Sequence, residues 1–277
     1  MAIAGRPMEA CAVAHNQPNH EPTAPLTAVP YTIPIAGGAF HTPEHYVPFS
    51  YELERRGHTT INPDFDSGDV ASSFEKDAEV FVESLGDADR LFFFVHSRGI
   101  ERFARAIPKI DPKRIIGGIV ITSAGPHGLL VPPAHAGELP QPRYKPLLET
   151  GVSDVAPRLQ AYDRNVAPKT FYSELPNDVA TWAAGLMVKQ RVVSVVESPI
   201  PPMPADIPIY YVLGDRDEVI NNARAERVPK LWLGPDAAPA IYIDSGHSPF
   251  LERIPYLADL VIEKATLAEA IKLNRAA

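Results

Sequence analysis

The most constraining feature of this sequence is a continuous apolar run at residues 91–95 (LFFFV), which leads without a break into residues 96–99 (HSRG). A strand that is apolar at every position is buried on both faces, as in a parallel sheet covered by helices. A helical segment through Ile107 follows. The run therefore predicts a central strand of a parallel sheet, with Ser97 in the turn from that strand into a helix.

Similar patterns predict further strands and helices along the chain. Strands are also predicted at residues 29–36, 59–62, 114–122, 207–214 and 240–243. Helices are predicted at residues 43–56, 72–84, 178–196 and 222–231, and from Pro249 onwards. Strands that alternate with helices indicate an α/β fold with a mostly parallel sheet and helical crossovers.

Two segments depart from this alternation. Residues 124–206 are rich in proline and lack strand-like runs, which predicts a mainly helical cap over the carboxyl edge of the sheet. Residues 1–28 mix Ala, Pro, His, Asn and Thr without periodicity, which predicts a flexible N-terminal arm. The remaining residues, 29–123 and 207–277, form the expected α/β core.

The composition excludes several functional classes. With 277 residues, 45% of them hydrophobic, the chain can bury a sizeable core. The net charge of −8 argues against a nucleic-acid partner, because binding phosphates requires a basic surface. Cys11 is the single cysteine, no run approaches the roughly 20 apolar residues of a membrane helix, and the start of the chain lacks a secretory signal pattern. We therefore expect a cytoplasmic protein without a membrane or nucleic-acid partner.

Three turns that follow predicted strands carry reactive side chains. Residues 95–99 (VHSRG) are similar to a nucleophile elbow, G-x-S-x-G, in which Val95 replaces the first glycine. A serine in such a turn either caps the helix or presents a hydroxyl on a strained backbone. The other two turns contain Asp217 and His247, each a few residues beyond a predicted strand.

The carboxyl ends of parallel strands lie at one edge of the sheet, so these three side chains are predicted to meet there. In this hypothesis His247 accepts the hydroxyl proton of Ser97 as the serine attacks a carbonyl carbon. Asp217 orients the imidazole and stabilises its protonated form. Asp215 and Asp244 are the alternative acids, and the chain order Ser, Asp, His is the order found in α/β-hydrolases.

Backbone N–H groups beside the serine would stabilise the oxyanion that forms during the attack. One belongs to Arg98, and another is expected from the loop at residues 37–40 (GGAF). We predict no metal and no cofactor, because His41 and His45 lack a partner carboxylate and no G-x-G-x-x-G motif follows the glycine pair. His96 is expected to pack beneath the turn.

Several segments carry a resemblance to a known family. They are residues 37–41 (GGAFH, similar to H-G-A-W-H), 171–176 (FYSELP, similar to F-Y-N-D-L-P), 214–217 (GDRD, similar to G-x-x-D) and 246–250 (GHSPF, similar to G-H-S-P). They resemble the α/β-hydrolase superfamily, within it the branch of plant methyl-ester esterases, hydroxynitrile lyases and bacterial relatives. The resemblance spans about residues 29–265. It implies an α/β-hydrolase fold with an inserted helical cap, supports Asp217 as the acid, and assigns the second oxyanion donor to Ala39.

Three positions depart from the family pattern: Gly37 replaces a histidine, Val95 replaces a glycine, and Arg98 replaces a small or apolar residue. The guanidinium of Arg98 either points into the pocket, where it would favour a carboxylate-bearing substrate, or turns outward to a surface acid. Hydroxynitrile lyases of this branch carry a lysine directly after the histidine. Here that residue is Ser248, which disfavours cyanohydrin cleavage.

The resemblance implies a cofactor-free serine hydrolase, of carboxylesterase or lactonase type, that cleaves a small ester or lactone through an acyl-enzyme. The residues predicted to contact substrate are Phe40, Arg98, Tyr172, Trp182 and Leu186. The alternative is a non-hydrolytic protein on the same scaffold, either a ligand-binding receptor or a cyclase- or lyase-type enzyme.

Overall fold

The computed structural model describes residues 29–65, 68–69, 71, 73–126, 152–156, 159–191, 200 and 203–276. In chain order, the strands are β1 (Thr32–Ala36), β2 (Thr59–Ile61), β3 (Leu91–His96), β4 (Ile115–Ile121), β5 (Val152–Ala156), β6 (Leu159–Tyr162), β7 (Gln190–Arg191), β8 (Ile209–Gly214) and β9 (Ile241–Ile243). The α-helices are α1 (Val47–Arg55), α2 (Phe74–Ser84), α3 (Ile100–Ala106), α4 (Ala167–Thr170), α5 (Asn177–Leu186), α6 (Asn222–Ala225), α7 (Val228–Leu233), α8 (Pro249–Glu252) and α9 (Ile254–Ala276).

Six of these strands form one sheet in the order β2-β1-β3-β4-β8-β9. Each neighbouring pair is parallel, so the predicted parallel sheet is confirmed. Strands β3 and β4 lie at its centre, and every residue of both strands is buried. Strands β5, β6 and β7 form a separate antiparallel sheet.

The side chains of β3 alternate between two hydrophobic cores. Phe92 and Phe94 belong to the core on one face of the sheet, together with apolar side chains of α1 and α9. Phe93 and Val95 belong to the core on the other face, together with side chains of α2 and α3. Burying one such side chain stabilises the fold by about 1.5–3 kcal/mol, so both cores favour the central position of this strand.

The core helices begin and end at local sequence signals. Gly57, with a φ of +88°, ends the first helix in the left-handed conformation that glycine adopts without a steric penalty. The side chain of Ser73 caps α2 by accepting a hydrogen bond from the N–H of Lys76 at 3.1 Å. Of the helices in the described ranges, none combines the length and apolar character needed to cross a bilayer.

The segment predicted as a mainly helical cap contains strands as well as helices. Helices α4 and α5 lie there. The prediction of a helix at residues 178–196 is wrong at residues 187–191, because the helix ends at Leu186, Met187 is extended, and β7 follows. The two residues of β7 pair with β6 and are buried. Two polar residues give no local signal of a strand, so this pairing depends on the tertiary structure.

Two further helices differ from their predicted form. The helix predicted at residues 43–56 starts as a 3-10 turn, Pro43–Tyr46, before α1, and the helix predicted at 222–231 is divided into α6 and α7. The predicted arm at residues 1–28, and parts of the predicted cap, lie outside the described residues. The division into arm, core and cap therefore stays a prediction.

Gly117 in β4 allows a close approach to α9, and this contact gives a test of the packing. A Cβ atom at Gly117 would lie 2.6 Å from the carbonyl oxygen of Pro208 and 3.0 Å from the Cβ of Ala268. We expect Gly117→Ala to lower the free energy of unfolding by about 1–3 kcal/mol through overpacking.

The matched control is Gly185→Ala in α5, where an added Cβ would meet nothing within 4 Å. This change should raise the free energy of unfolding by up to about 1 kcal/mol, because alanine favours the helix. Urea denaturation of both variants measures the two effects. Equal shifts of the two variants would contradict the close packing of Pro208 and α9 around Gly117.

Candidate active site

Ser97 lies in a sharp turn between β3 and α3. Its φ is +48°, in the left-handed region that residues other than glycine rarely occupy. Such a conformation costs about 1–3 kcal/mol and persists where the surrounding structure enforces it. Gly99 supplies part of that constraint, because a Cβ there would lie 2.0 Å from the carbonyl oxygen of Ala36. Glycine at this position therefore allows the backbone of the turn to pack directly against β1.

Val95, which occupies the first glycine position of the elbow motif, does not prevent this turn. It pairs with Ala36 of β1 and Val120 of β4, and its side chain is completely buried in the core. The extra bulk is therefore accommodated within the sheet, and the backbone of Ser97 still adopts the left-handed conformation.

Asp217 is the acid that contacts the histidine. Its Oδ2 accepts a hydrogen bond from Nδ1 of His247 at 2.9 Å. Its Oδ1 accepts the N–H groups of Val219 at 2.7 Å and Ile220 at 3.0 Å. The carboxylate is thus held at both oxygens, and a neutral His247 with its proton on Nδ1 keeps Nε2 available as a base.

The two alternative acids lie at the surface. The side chain of Asp215 is 51% exposed, and its Oδ1 accepts the N–H of Ser245 at 3.2 Å. The side chain of Asp244 is 74% exposed and forms an ion pair with Arg216 at 2.5 Å. Among the three candidates, the structure brings Asp217 to His247.

The turn that carries His247 is held on two sides. Its carbonyl oxygen accepts hydrogen bonds from Nε2 of His96 at 3.1 Å and from the hydroxyl of Thr122 at 3.0 Å. On the other side, Oε2 of Glu252 accepts the hydroxyl of Ser245 at 2.6 Å and the N–H of Gly246 at 2.7 Å. Neither Thr122 nor Glu252 was predicted from the sequence as a site residue.

The loop after β1 lies in contact with the serine turn. A Cβ at Gly38 would lie 3.2 Å from the Cβ of Ser97 and 2.6 Å from Nδ1 of His96, so only glycine allows this approach. The next residue, Ala39, donates its N–H to no other group in the described part of the chain. The N–H of Phe40, in contrast, donates to Oε1 of Gln190 at 2.6 Å.

A chain of three hydrogen bonds connects this loop to the histidine turn. The N–H of Gly38 donates to the hydroxyl of Tyr46 at 2.8 Å, and that hydroxyl donates to Nδ1 of His96 at 2.8 Å. Nε2 of His96 then donates to the carbonyl of His247. The ring of Tyr46 also packs on Gly37, where a Cβ would come within 3.0 Å of it. Tyr46 was not predicted as a site residue, because no local sequence pattern indicates the hydrogen bonds that its hydroxyl forms.

The residues predicted to contact substrate lie in different environments. Phe40 is buried beside Tyr162, with ring centroids 5.7 Å apart. The hydroxyl of the fully buried Tyr172 donates to Nε2 of His41 at 3.1 Å. Trp182 is 45% exposed on α5, and Leu186 is partly buried. The guanidinium of Arg98 packs over the ring of Phe74, 5.2 Å from its centroid.

Three buried histidines surround the loop and are held in their neutral forms. Burial lowers the pKa of His41 and of His96 well below the ordinary value, and neighbouring histidines lower both further. Burial also lowers the pKa of His45 to about 4. Nδ1 of His45 accepts the N–H of Thr42 at 3.0 Å, and its Nε2 donates to the carbonyl of Ala183 at 3.0 Å.

Comparisons with known proteins show the same fold. The sequence profile described as the alpha/beta hydrolase family matches residues 35–260. Similar solved structures include a pyrethroid hydrolase from Sphingobium faniae JZ-2, with 18% identity, 86% of this chain and 98% of that chain covered, and a TM-score of 0.66. A methylesterase from Arabidopsis matches at 16% identity, with coverage of 86% and 99% and a TM-score of 0.65.

Polyneuridine aldehyde esterase matches at 11% identity, with 85% of this chain and 99% of that chain covered and a TM-score of 0.68. The search of curated proteins found no match. At these identities the solved structures show the fold alone, and the predicted fold class is confirmed.

The buried histidines should make the protein less stable in acid. Their native pKa values lie below the ordinary value of 6.5, so on acidification the unfolded state binds protons that the native state does not. As the pH falls from about 6.5 towards about 4, each histidine should lower the free energy of unfolding by up to about 1.4 kcal/mol per pH unit.

The variant His45→Gln removes one of these groups. The slope of the unfolding free energy against pH should therefore decrease by the contribution of roughly one proton. Urea denaturation at a series of pH values measures the slope for wild-type and variant protein. An unchanged slope in the variant would show that His45 does not stay neutral in the folded protein.

Proposed function

Because the chain belongs to the α/β-hydrolase family, we propose that it is a cofactor-free serine hydrolase that cleaves a small ester or lactone through an acyl-enzyme. The observation that carries this proposal is the buried hydrogen bond between His247 and Asp217, at the same sheet edge as the left-handed Ser97. A strained serine and an oriented imidazole at one sheet edge are two of the parts that nucleophilic acyl transfer uses.

The first half of the proposed reaction forms the acyl-enzyme. Oγ of Ser97 attacks the carbonyl carbon of the substrate while Nε2 of His247 accepts the hydroxyl proton. The carbonyl oxygen becomes an oxyanion, and the N–H groups of Ala39 and Arg98 stabilise it. The bond to the alkoxy group then breaks, and His247 returns the proton to the departing alcohol.

The second half releases the acid. A water molecule loses a proton to Nε2 of His247 and attacks the acyl carbon. The bond between that carbon and Oγ of Ser97 breaks, and His247 returns the proton to the serine. The carboxylate of Asp217 stabilises the imidazolium in both halves of the reaction. Its other oxygen accepts two backbone N–H groups, which hold the carboxylate in place.

The substrate is proposed to lie between the serine turn and the segment predicted as the cap. Phe40, Trp182 and Leu186 would supply apolar contacts to it, which fits a small and mainly apolar ester or lactone. Tyr172 acts on this site through His41, whose Nδ1 donates to the carbonyl of Ala39 at 2.6 Å.

Arg98 contributes its backbone N–H to the oxyanion. Its guanidinium borders the serine turn from the side of Phe74. Contact between that guanidinium and a substrate would favour an anionic acyl or alcohol group.

A fluorophosphonate probe and the chromogenic ester p-nitrophenyl acetate test the proposal. We expect one equivalent of label per chain in the wild-type protein and none in Ser97→Ala, because the probe reacts with an activated serine. The variant Asp217→Asn should lower kcat/KM for the ester by about ten-thousand-fold, since the imidazole loses its orienting carboxylate.

The matched control is Asp215→Asn, two residues earlier in the same loop, which should retain wild-type turnover because Asp215 is exposed and does not contact His247. Folded wild-type protein that neither takes up the label nor turns over the ester would contradict a hydrolase. That outcome would favour the ligand-binding or lyase-type alternative.

A further inference from the structure

A buried group of charges lies behind the loop that would hold the oxyanion. Asp77 of α2, Arg102 of α3 and Arg191 of β7 are each 3% exposed or less. Oδ2 of Asp77 accepts hydrogen bonds from Nε of Arg102 at 2.9 Å and from Nη2 of Arg191 at 2.6 Å. One carboxylate oxygen therefore joins two guanidinium groups that come from distant parts of the chain.

Arg102 connects this carboxylate to the loop. While its Nε binds Asp77, its Nη1 donates to the carbonyl oxygen of Gly37 at 2.7 Å. The planar guanidinium fixes the directions of these two bonds relative to each other. Its carbon lies 4.3 Å from the ring centroid of Phe65, a contact that holds the group against the aromatic face.

Arg191 connects the same carboxylate to the other end of the loop. Its neighbour in β7, Gln190, accepts the N–H of Phe40 at 2.6 Å, and the carbonyl of Phe40 accepts the N–H of Val188 at 3.0 Å. The bond from Arg191 to Asp77 thus attaches β7 to α2, while Gln190 attaches β7 to the loop.

We propose that Asp77 is a positioning residue for the oxyanion loop, acting through Arg102 at Gly37 and through β7 at Phe40. Ala39 lies between these two held points, so the direction of its N–H depends on both. Gly37 has no side chain with which to support the loop, and the buried ion pairs hold its backbone instead. The expected effect of Asp77 on catalysis rests on the proposed hydrolase function. Its effect on the position of the loop does not.

A second buried ion pair on α3 provides a matched control. Nη1 of Arg105 donates to Oε2 of Glu101 at 2.7 Å. The burial is similar to that of Arg102, since Arg105 is 3% exposed and Glu101 1%, compared with 2% for Arg102. Within the described residues, no hydrogen bond joins Arg105 to residues 37–40. The variants Arg102→Lys and Arg105→Lys therefore disturb similar ion pairs one helical turn apart, but only the first pair reaches the loop.

The first measurement is amide hydrogen exchange of the peptide that covers residues 37–46, in wild-type protein and both variants. A lysine keeps the charge near Asp77 but cannot reproduce the two fixed bonds to Asp77 and Gly37. We expect exchange in this peptide to become about tenfold faster or more in Arg102→Lys and to stay at the wild-type rate in Arg105→Lys. Asp77→Asn, which preserves side-chain shape, is the second variant and should behave like Arg102→Lys.

The second measurement is hydrolysis of p-nitrophenyl acetate. We expect Arg102→Lys to lower kcat by about 10- to 100-fold through misplacement of the oxyanion donor, with little change in KM and with wild-type turnover in Arg105→Lys. Equal exchange and equal kcat in Arg102→Lys and Arg105→Lys would overturn the inference. An inactive wild-type protein would refute the proposed function instead, while hydrogen exchange would still decide whether Asp77 holds the loop.

Discussion

The burial of β3 on both faces is the constraint on which the rest of the structure depends. A strand without a polar face can lie only between two cores, so its end is fixed at the centre of the sheet edge, where Ser97 follows. The neighbouring strand β1 then places its own loop against the serine turn, and Gly38 and Gly99 permit this approach. The histidine and the acid come from β9 and β8, beyond β4, and must reach back across it.

Buried polar contacts span that distance. The carbonyl of His247 accepts bonds from His96 at the end of β3 and from Thr122 at the end of β4, so the histidine turn is fixed to the central strands. Through Tyr46, the same His96 is connected to Gly38. A buried polar group without a partner costs about 1–3 kcal/mol, and therefore such a network favours one arrangement of the three loops over others.

Departures from the family pattern are compensated by contacts that are distant in sequence. The space beside Gly37 is occupied by the ring of Tyr46, and the carbonyl of Gly37 is held by Arg102. Val95 fits within the sheet because its neighbour on β1 is the small Ala36. At residues 187–191, distant contacts instead override a local pattern. The sequence predicts a helix, but β7 forms, and its two residues gain buried partners in α2 and in the loop after β1.

The sequence alone determined the parallel sheet, the turn that contains Ser97 and the strand ends that carry Asp217 and His247, because apolar periodicity records which faces are buried and where each strand stops. The sequence favoured Asp217 over Asp215, but only the tertiary structure decided that its carboxylate contacts His247, and that Tyr46, Thr122, Gln190 and Asp77 support the site. These contacts join residues between 30 and 150 positions apart. Local patterns carry no information about such distances, because each bond depends on how separately predicted elements pack.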